Sequence, residues 1–122
     1  KENITKIHKC VMHCFSYSHE EAKRYIDLGF YISLGGPLTF KNSKKTKEVA
    51  LNIPSEKIMF ETDSPYLAPH PHRGKTNNPS LLPLVLDFYN KIKEEDLTKK
   101  IFLHSLSFFQ LRIIKWKTWD IK

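Results

Sequence analysis

The chain has 122 residues, enough for one modest domain. Hydrophobic residues make up 40% of it, which supplies a core and excludes wholesale disorder. A formal net charge of +7 favours anionic partners such as nucleic acid or phosphate esters, although the lysines of 41–47 and 91–100 also suit a solvated surface.

Cys10 and Cys14 are the whole cysteine complement. Without a second pair they argue against a structural zinc module. Within a strand they stand about 13 Å apart, which is poor geometry for a disulfide. Reduced thiols in a cytoplasmic compartment are the simpler expectation. Lysine or arginine interrupts every apolar stretch, so no run reaches membrane-spanning length. Lys1 to His8 contains no starting Met and no signal-peptide core. It reads as the tail of a helix that began earlier, so a truncated chain is expected.

Val11–Phe15 is a short, mostly apolar run and is predicted to be a buried strand. Ser16 to Ser18 is the turn after it. Ser18-His19-Glu20-Glu21 fits a capping box, with Ser18 as N-cap and Glu21 reaching back. Ala22, Tyr25 and Ile26 follow at helical spacing, and Gly29 suits the left-handed position that closes a helix. Phe30–Leu34 is the second strand, ended by Gly35-Gly36-Pro37, where bare backbone allows close approach. Asn42 or Ser43 opens a second helix carrying Val49, Ala50 and Ile53. Ile58–Asp63 is the third strand, because Ile58, Met59 and Phe60 are stable only out of water and Pro65 cannot join a ladder.

A Pro- and His-rich loop runs from Ser64 to Pro79, longer than an ordinary connection and for that reason expected to be functional. Ser80 is predicted to cap a third helix, with Pro83 in its first turn and Leu82, Val85, Leu86, Tyr89 and Ile92 as its apolar stripe. Glu95–Leu111 reads as a last helix with Leu97, Ile101, Leu106, Phe108 and Phe109 available for burial. The basic, aromatic tail 113–122 shows no period. Strands alternating with helices imply parallel pairing through helical crossovers, and three such strands leave two open edges.

Parallel strands put their carboxyl ends on one side, where α/β folds place chemistry. Asp63 at the end of the third strand is there either as a turn cap or as a site residue. His13, at the end of the first, is either a hydrogen-bonded core histidine or a metal ligand facing Asp63. Glu61 lies two residues before Asp63, on the same side of a strand; it is a ligand-side carboxylate or one half of an ordinary salt bridge. His70-Pro71-His72 has His-x-His spacing but sits in an extended loop. Arg73 and Lys75 flank Gly74 as two cations at the mouth of the cleft, suited to phosphate or simply solvated.

Met12-His13-Cys14-Phe15-Ser16, Gly29-Phe30-Tyr31-Ile32-Ser33, Thr39-Phe40-Lys41-Asn42 and Glu61-Thr62-Asp63-Ser64-Pro65-Tyr66-Leu67-Ala68-Pro69 occur in that order. With His72-Arg73-Gly74-Lys75 and Asn77-x-Pro79, they resemble the TatD family of metal-dependent deoxyribonucleases over about residues 9 to 92. Cys10 and Tyr17 stand where that family carries Gly, and Asn78 where it carries an acid.

The resemblance implies an α/β fold, the last three strands and their helices of a TIM-type (β/α)8 barrel that is incomplete in this chain. It places residues 1–112 in the C-terminal portion of such a domain and leaves 113–122 unassigned. It implies His13 and Asp63 as ligands of a divalent cation (Mg2+, Zn2+ or Mn2+), with Asp63 also activating the attacking water. DNA is the implied substrate, with Arg73 the best candidate for a phosphate and Gly35, Gly36 and the loop from Pro69 to Lys75 lining the groove. The other family ligands lie on earlier strands, so these 122 residues are not expected to turn over efficiently. Two other readings stay open: a non-catalytic basic remnant that binds nucleic acid loosely, and a metal-dependent hydrolase of another ester or amide.

Overall fold

The computed structural model describes residues 9–108. The elements are β1 (Val11–Met12), α1 (His19–Asp27), β2 (Tyr31–Leu34), α2 (Lys44–Asn52), β3 (Ile58–Phe60), α3 (Leu82–Lys93) and α4 (Thr98–Phe108). The strands form one parallel sheet in the order β1-β2-β3. Val11 pairs with Tyr31 and Met12 with Ile32, while Ile32 pairs with Ile58 and Leu34 with Phe60. Each crossover carries a helix, as parallel pairing requires.

Local chemistry explains the boundaries. The Ser18 hydroxyl accepts from the Glu21 N–H at 3.3 Å and the Glu21 carboxylate accepts from the Ser18 N–H at 3.3 Å, the reciprocal cap expected from the sequence. Gly29, at φ 86°, turns the chain out of α1 into β2. β2 lies between two strands and has cover on both faces, so Ile32, Ser33 and Leu34 are all buried. Ile32 and Leu34 join Ile58, Leu38, Val49, Ile53, Val85, Tyr89, Leu97 and Ile101 in a single core. Full burial of each such Leu or Ile contributes about 1.5–3 kcal/mol.

Both outer strands are shorter than the sequence suggests. β1 stops at Met12 because Cys14 takes φ 48°, although Phe15 still donates to Ser33 O at 3.2 Å. β3 stops at Phe60. Glu61 N still donates to Leu34 O at 3.0 Å, and then Asp63, at φ 57°, swings the chain away before Pro65. The outer edge of β3 is partly covered: His104 of α4 places Nε2 2.8 Å from Ile58 O.

Two helix starts differ from the prediction. Asn78, not Ser80, is the cap that leads into α3: its Oδ1 accepts from Ser80 N at 2.9 Å and opens the 3-10 turn Pro79–Leu81. The Ser80 hydroxyl is spent on Asn78 itself. Asn78 is extended and followed by Pro79, the arrangement that favours a cap at that position. α4 begins at Thr98 rather than at Glu95, because Glu94 is left-handed and Asp96 accepts from Thr98 N at 3.1 Å. Phe109, Leu111 and the tail 113–122 lie outside the described residues, as does the segment Lys1 to His8. Among the described residues no helix is long and apolar enough to cross a membrane.

The loop that follows β3 is tied into the body. Asn77 is buried, and its Nδ2 donates to Thr62 O at 2.6 Å and Tyr66 O at 2.8 Å. Thr39 accepts from His70 N at 2.8 Å and donates to Gly36 O at 2.7 Å. Gly36 has no room for a side chain: a Cβ there lies 1.9 Å from Leu67 O. This contact fixes the loop against the carboxyl end of β2.

Candidate metal centre

The parallel sheet brings three carboxyl ends to one side. β1 delivers His13, β2 delivers Gly35, and β3 delivers Glu61 and, after a turn, Asp63. The two outer strands are about 9.5 Å apart, two inter-strand spacings. His13 nevertheless reaches both acids: Nδ1 lies 2.5 Å from Glu61 Oε2 and Nε2 2.8 Å from Asp63 Oδ1. They meet across Gly35. A Cβ at that position lies 3.1 Å from Glu61 O, 3.3 Å from Glu61 Cγ and 3.5 Å from Asp63 Oδ2, so the missing side chain is what leaves room for the carboxylates.

The three side chains offer one nitrogen and two carboxylate donors within 4.8 Å of one another. His13 is 69% exposed at its side chain, whereas the acids are nearly buried. Glu61 Oε1, Glu61 Oε2 and Asp63 Oδ2 are buried and, among the described residues, have no hydrogen-bond partner; the close Nδ1–Oε2 contact is poorly directed. Burial pushes the Glu61 carboxyl up, the Ser33 hydroxyl opposes it, and Asp63 raises it further. The Cys14 thiol is also pushed up, by burial first and then by Asp63 and Glu61. Two adjoining acids with buried oxygens left unsatisfied are unfavourable by themselves. A divalent cation satisfies those oxygens, and an imidazole–carboxylate donor set fits one. Cys14 is held at φ 48°, at a cost of roughly 1–3 kcal/mol, of the kind that gathers at functional sites, while Asp63 takes φ 57°, a region that Asp tolerates.

His13 and Asp63, both singled out in the sequence, are brought together. Glu61 joins them, where the sequence left it equally a salt-bridge partner; its spacing of two from Asp63 was the available signal. His70 and His72 join no such grouping among the described residues. Arg73 contacts residues between β2 and α2. Its guanidinium lies 3.9 Å from the Phe40 ring centroid, and Nη1 donates to Asn42 Oδ1 at 3.4 Å.

Residues 1–109 match the family described as TatD related DNase. The chain belongs to that family. It is 49% identical over 84 residues to the metal-dependent hydrolase YabD of Bacillus subtilis, covering 69% of this chain and 33% of YabD. Over 83 residues it is 45% identical to the metal-dependent hydrolase YcfH of Escherichia coli K12, covering 68% of this chain and 31% of YcfH. The chain thus spans about a third of the length of these curated TatD-family relatives. Among solved structures, the TatD homologue YjjV of Escherichia coli superposes with a TM-score of 0.77 at 26% identity, over 84% of this chain and 40% of YjjV. A TatD-family hydrolase from Entamoeba histolytica shares the fold, with a TM-score of 0.71 at 20% identity.

Proposed function

We propose that residues 1–112 are the C-terminal portion of a TatD-type (β/α)8-barrel hydrolase that cleaves phosphodiester bonds in DNA. The three parallel strands are then the last three of the barrel, a reading supported by the match to 40% of YjjV. The observation that carries the function is the meeting of His13, Glu61 and Asp63 across Gly35 at the carboxyl ends of the strands.

In this reading His13 ligates through Nε2 and Asp63 through its carboxylate. Glu61, with Oε2 2.5 Å from His13 Nδ1, would supply the third donor of the cluster. When bound, a divalent cation polarises the phosphodiester and acidifies coordinated water. Asp63 takes the proton from the attacking water. Arg73, exposed and with its guanidinium 3.9 Å from the Phe40 ring centroid, would pair with a phosphate. Gly35, Gly36 and the loop from Pro69 to Lys75 line the groove.

Three donors hold a catalytic metal weakly, so the 122 residues alone are poor catalysts. Titration with Mn2+, followed by electron paramagnetic resonance, is expected to show one bound ion that His13→Ala and Asp63→Asn each abolish. Cleavage of single-stranded DNA by the 122 residues is expected not to reach multiple turnovers. Absence of Mn2+ binding refutes the site; metal-dependent multiple-turnover cleavage refutes the claim that donors are lacking. The net charge of +7 also supports a second reading, loose nucleic-acid binding without catalysis. Steep salt dependence without any metal requirement marks that outcome.

A further inference from the structure

Tyr66 is the most exposed large hydrophobic side chain described, at 74%. An aromatic ring in water is ordinarily mobile surface, but the backbone beneath this one is fixed. Tyr66 N donates to Asp63 O at 2.9 Å, and its carbonyl accepts from the buried Asn77 side chain at 2.8 Å. The next residue, Leu67, is held at φ 55° with its carbonyl pressed on Gly36. A leucine in that region costs roughly 1–3 kcal/mol, and such strain persists only where the surroundings impose it. The backbone that carries the ring is therefore anchored, three residues from Asp63, beside a pocket of about 390 Å³ whose far wall is Gly74, Lys75 and Thr76. Gly74, at φ 87° with nothing within 4 Å of its Cβ direction, leaves that wall low and open.

We infer that Tyr66 and Lys75 form a one-nucleotide subsite for single-stranded nucleic acid, with a base stacked on the Tyr66 ring and its phosphate paired with the Lys75 ammonium. An exposed aromatic on a fixed backbone beside a cation is the combination that binds single strands without reading their sequence. The subsite gives the DNA reading above a fixed point from which the strand runs toward Asp63, and it rests on that reading.

Fluorescence anisotropy with a labelled eight-nucleotide oligothymidylate, in chelator so that neither metal binding nor cleavage contributes, tests it on the full chain. Tyr66→Ala is expected to weaken binding about ten- to hundredfold, while Tyr66→Phe keeps it. An abasic oligomer of the same length is expected to bind wild type and Tyr66→Ala equally. Lys75→Gln is expected to weaken both oligomers alike and to reduce the salt slope by about one. The subsite is overturned if wild type does not bind the oligothymidylate, if Tyr66→Ala binds it like wild type, or if Tyr66→Ala loses the abasic oligomer to the same degree. Failure of the hydrolase reading shows separately, as absence of Mn2+ binding with Tyr66-dependent DNA affinity intact.

Discussion

Gly36→Ala tests whether the loop after β3 is part of the folded body. The added Cβ falls 1.9 Å from Leu67 O, 3.0 Å from Leu67 C and 3.2 Å from Pro69 N. All three are backbone atoms, so no rotamer change relieves the clash. The loop has to move by about 1 Å before the first contact reaches even 3.0 Å. Overpacking of this kind costs about 1–3 kcal/mol. Displacement also strains the Asn77 bonds to Thr62 and Tyr66, each worth about 1 kcal/mol. The expected loss is therefore about 3 kcal/mol or more, read by urea unfolding with circular dichroism. Gly74→Ala is the control. Its position is left-handed but open, so it is expected to cost only about 1–2 kcal/mol. A Gly36→Ala chain within about 0.5 kcal/mol of wild type, or no worse than Gly74→Ala, would refute the packing argument; ordinary surface substitutions fall in that range.

Other outcomes follow from the same structure. Ser18→Ala is expected to lose about 1 kcal/mol of stability and Ser18→Gly only a few tenths, measured by urea melts, because the reciprocal cap with Glu21 is lost. Tyr89 is fully buried, its hydroxyl has no partner among the described residues, and burial, with Glu56 and Glu95 adding, pushes its pKa up to about 12. The folded state thus holds this proton more tightly than the unfolded chain, which releases it near pH 10. Stability should be intact below pH 10 and fall as pH rises through 12, by about 2.7 kcal/mol. Tyr89→Phe should remove that component of the alkaline decline and leave neutral stability unchanged or slightly higher, as melts at pH 8 and 11.5 will show. Saturating Mn2+, at a hundred times its dissociation constant, is expected to add about 2.7 kcal/mol to wild type. Thermal melts should show that gain reversed by chelator and absent in Asp63→Asn.

Much of the fold is written in short-range chemistry. Ser18 and Glu21 specify their cap within four residues, Gly29 marks its helix end, and the stripe from Leu82 to Ile92 gives the buried face of α3. The strand ends were less legible. Cys14 and Asp63 turn into the left-handed region, which nothing in the apolar runs before them requires. The cap before α3 was misplaced by two residues because Asn78 and Ser80 are both capping types, and only the extended backbone before Pro79 decides between them; α3 itself begins at Leu82 without a side-chain cap. In the site, strand order put His13 and Asp63 on one side of the sheet, and the family resemblance implied them as ligands. The part of Glu61 was not legible there, since it depends on β1 and β3 meeting over Gly35, a contact between residues 48 positions apart in the chain. Arg73 looked free in the sequence; its seat on Phe40 is a long-range packing fact.

Asp63 sits at φ 57°, where Asn is nearly as comfortable as Asp and most other residues are not. Under the genetic code Asp becomes Asn by one base change. That replacement has the same shape and the same backbone tolerance, and it deletes only the charge. At this codon, then, the mutation that would silence the proposed chemistry is also the one the fold notices least. A lineage could pass through it and go on making a stable, abundant, inert protein, and selection against misfolding would not remove it.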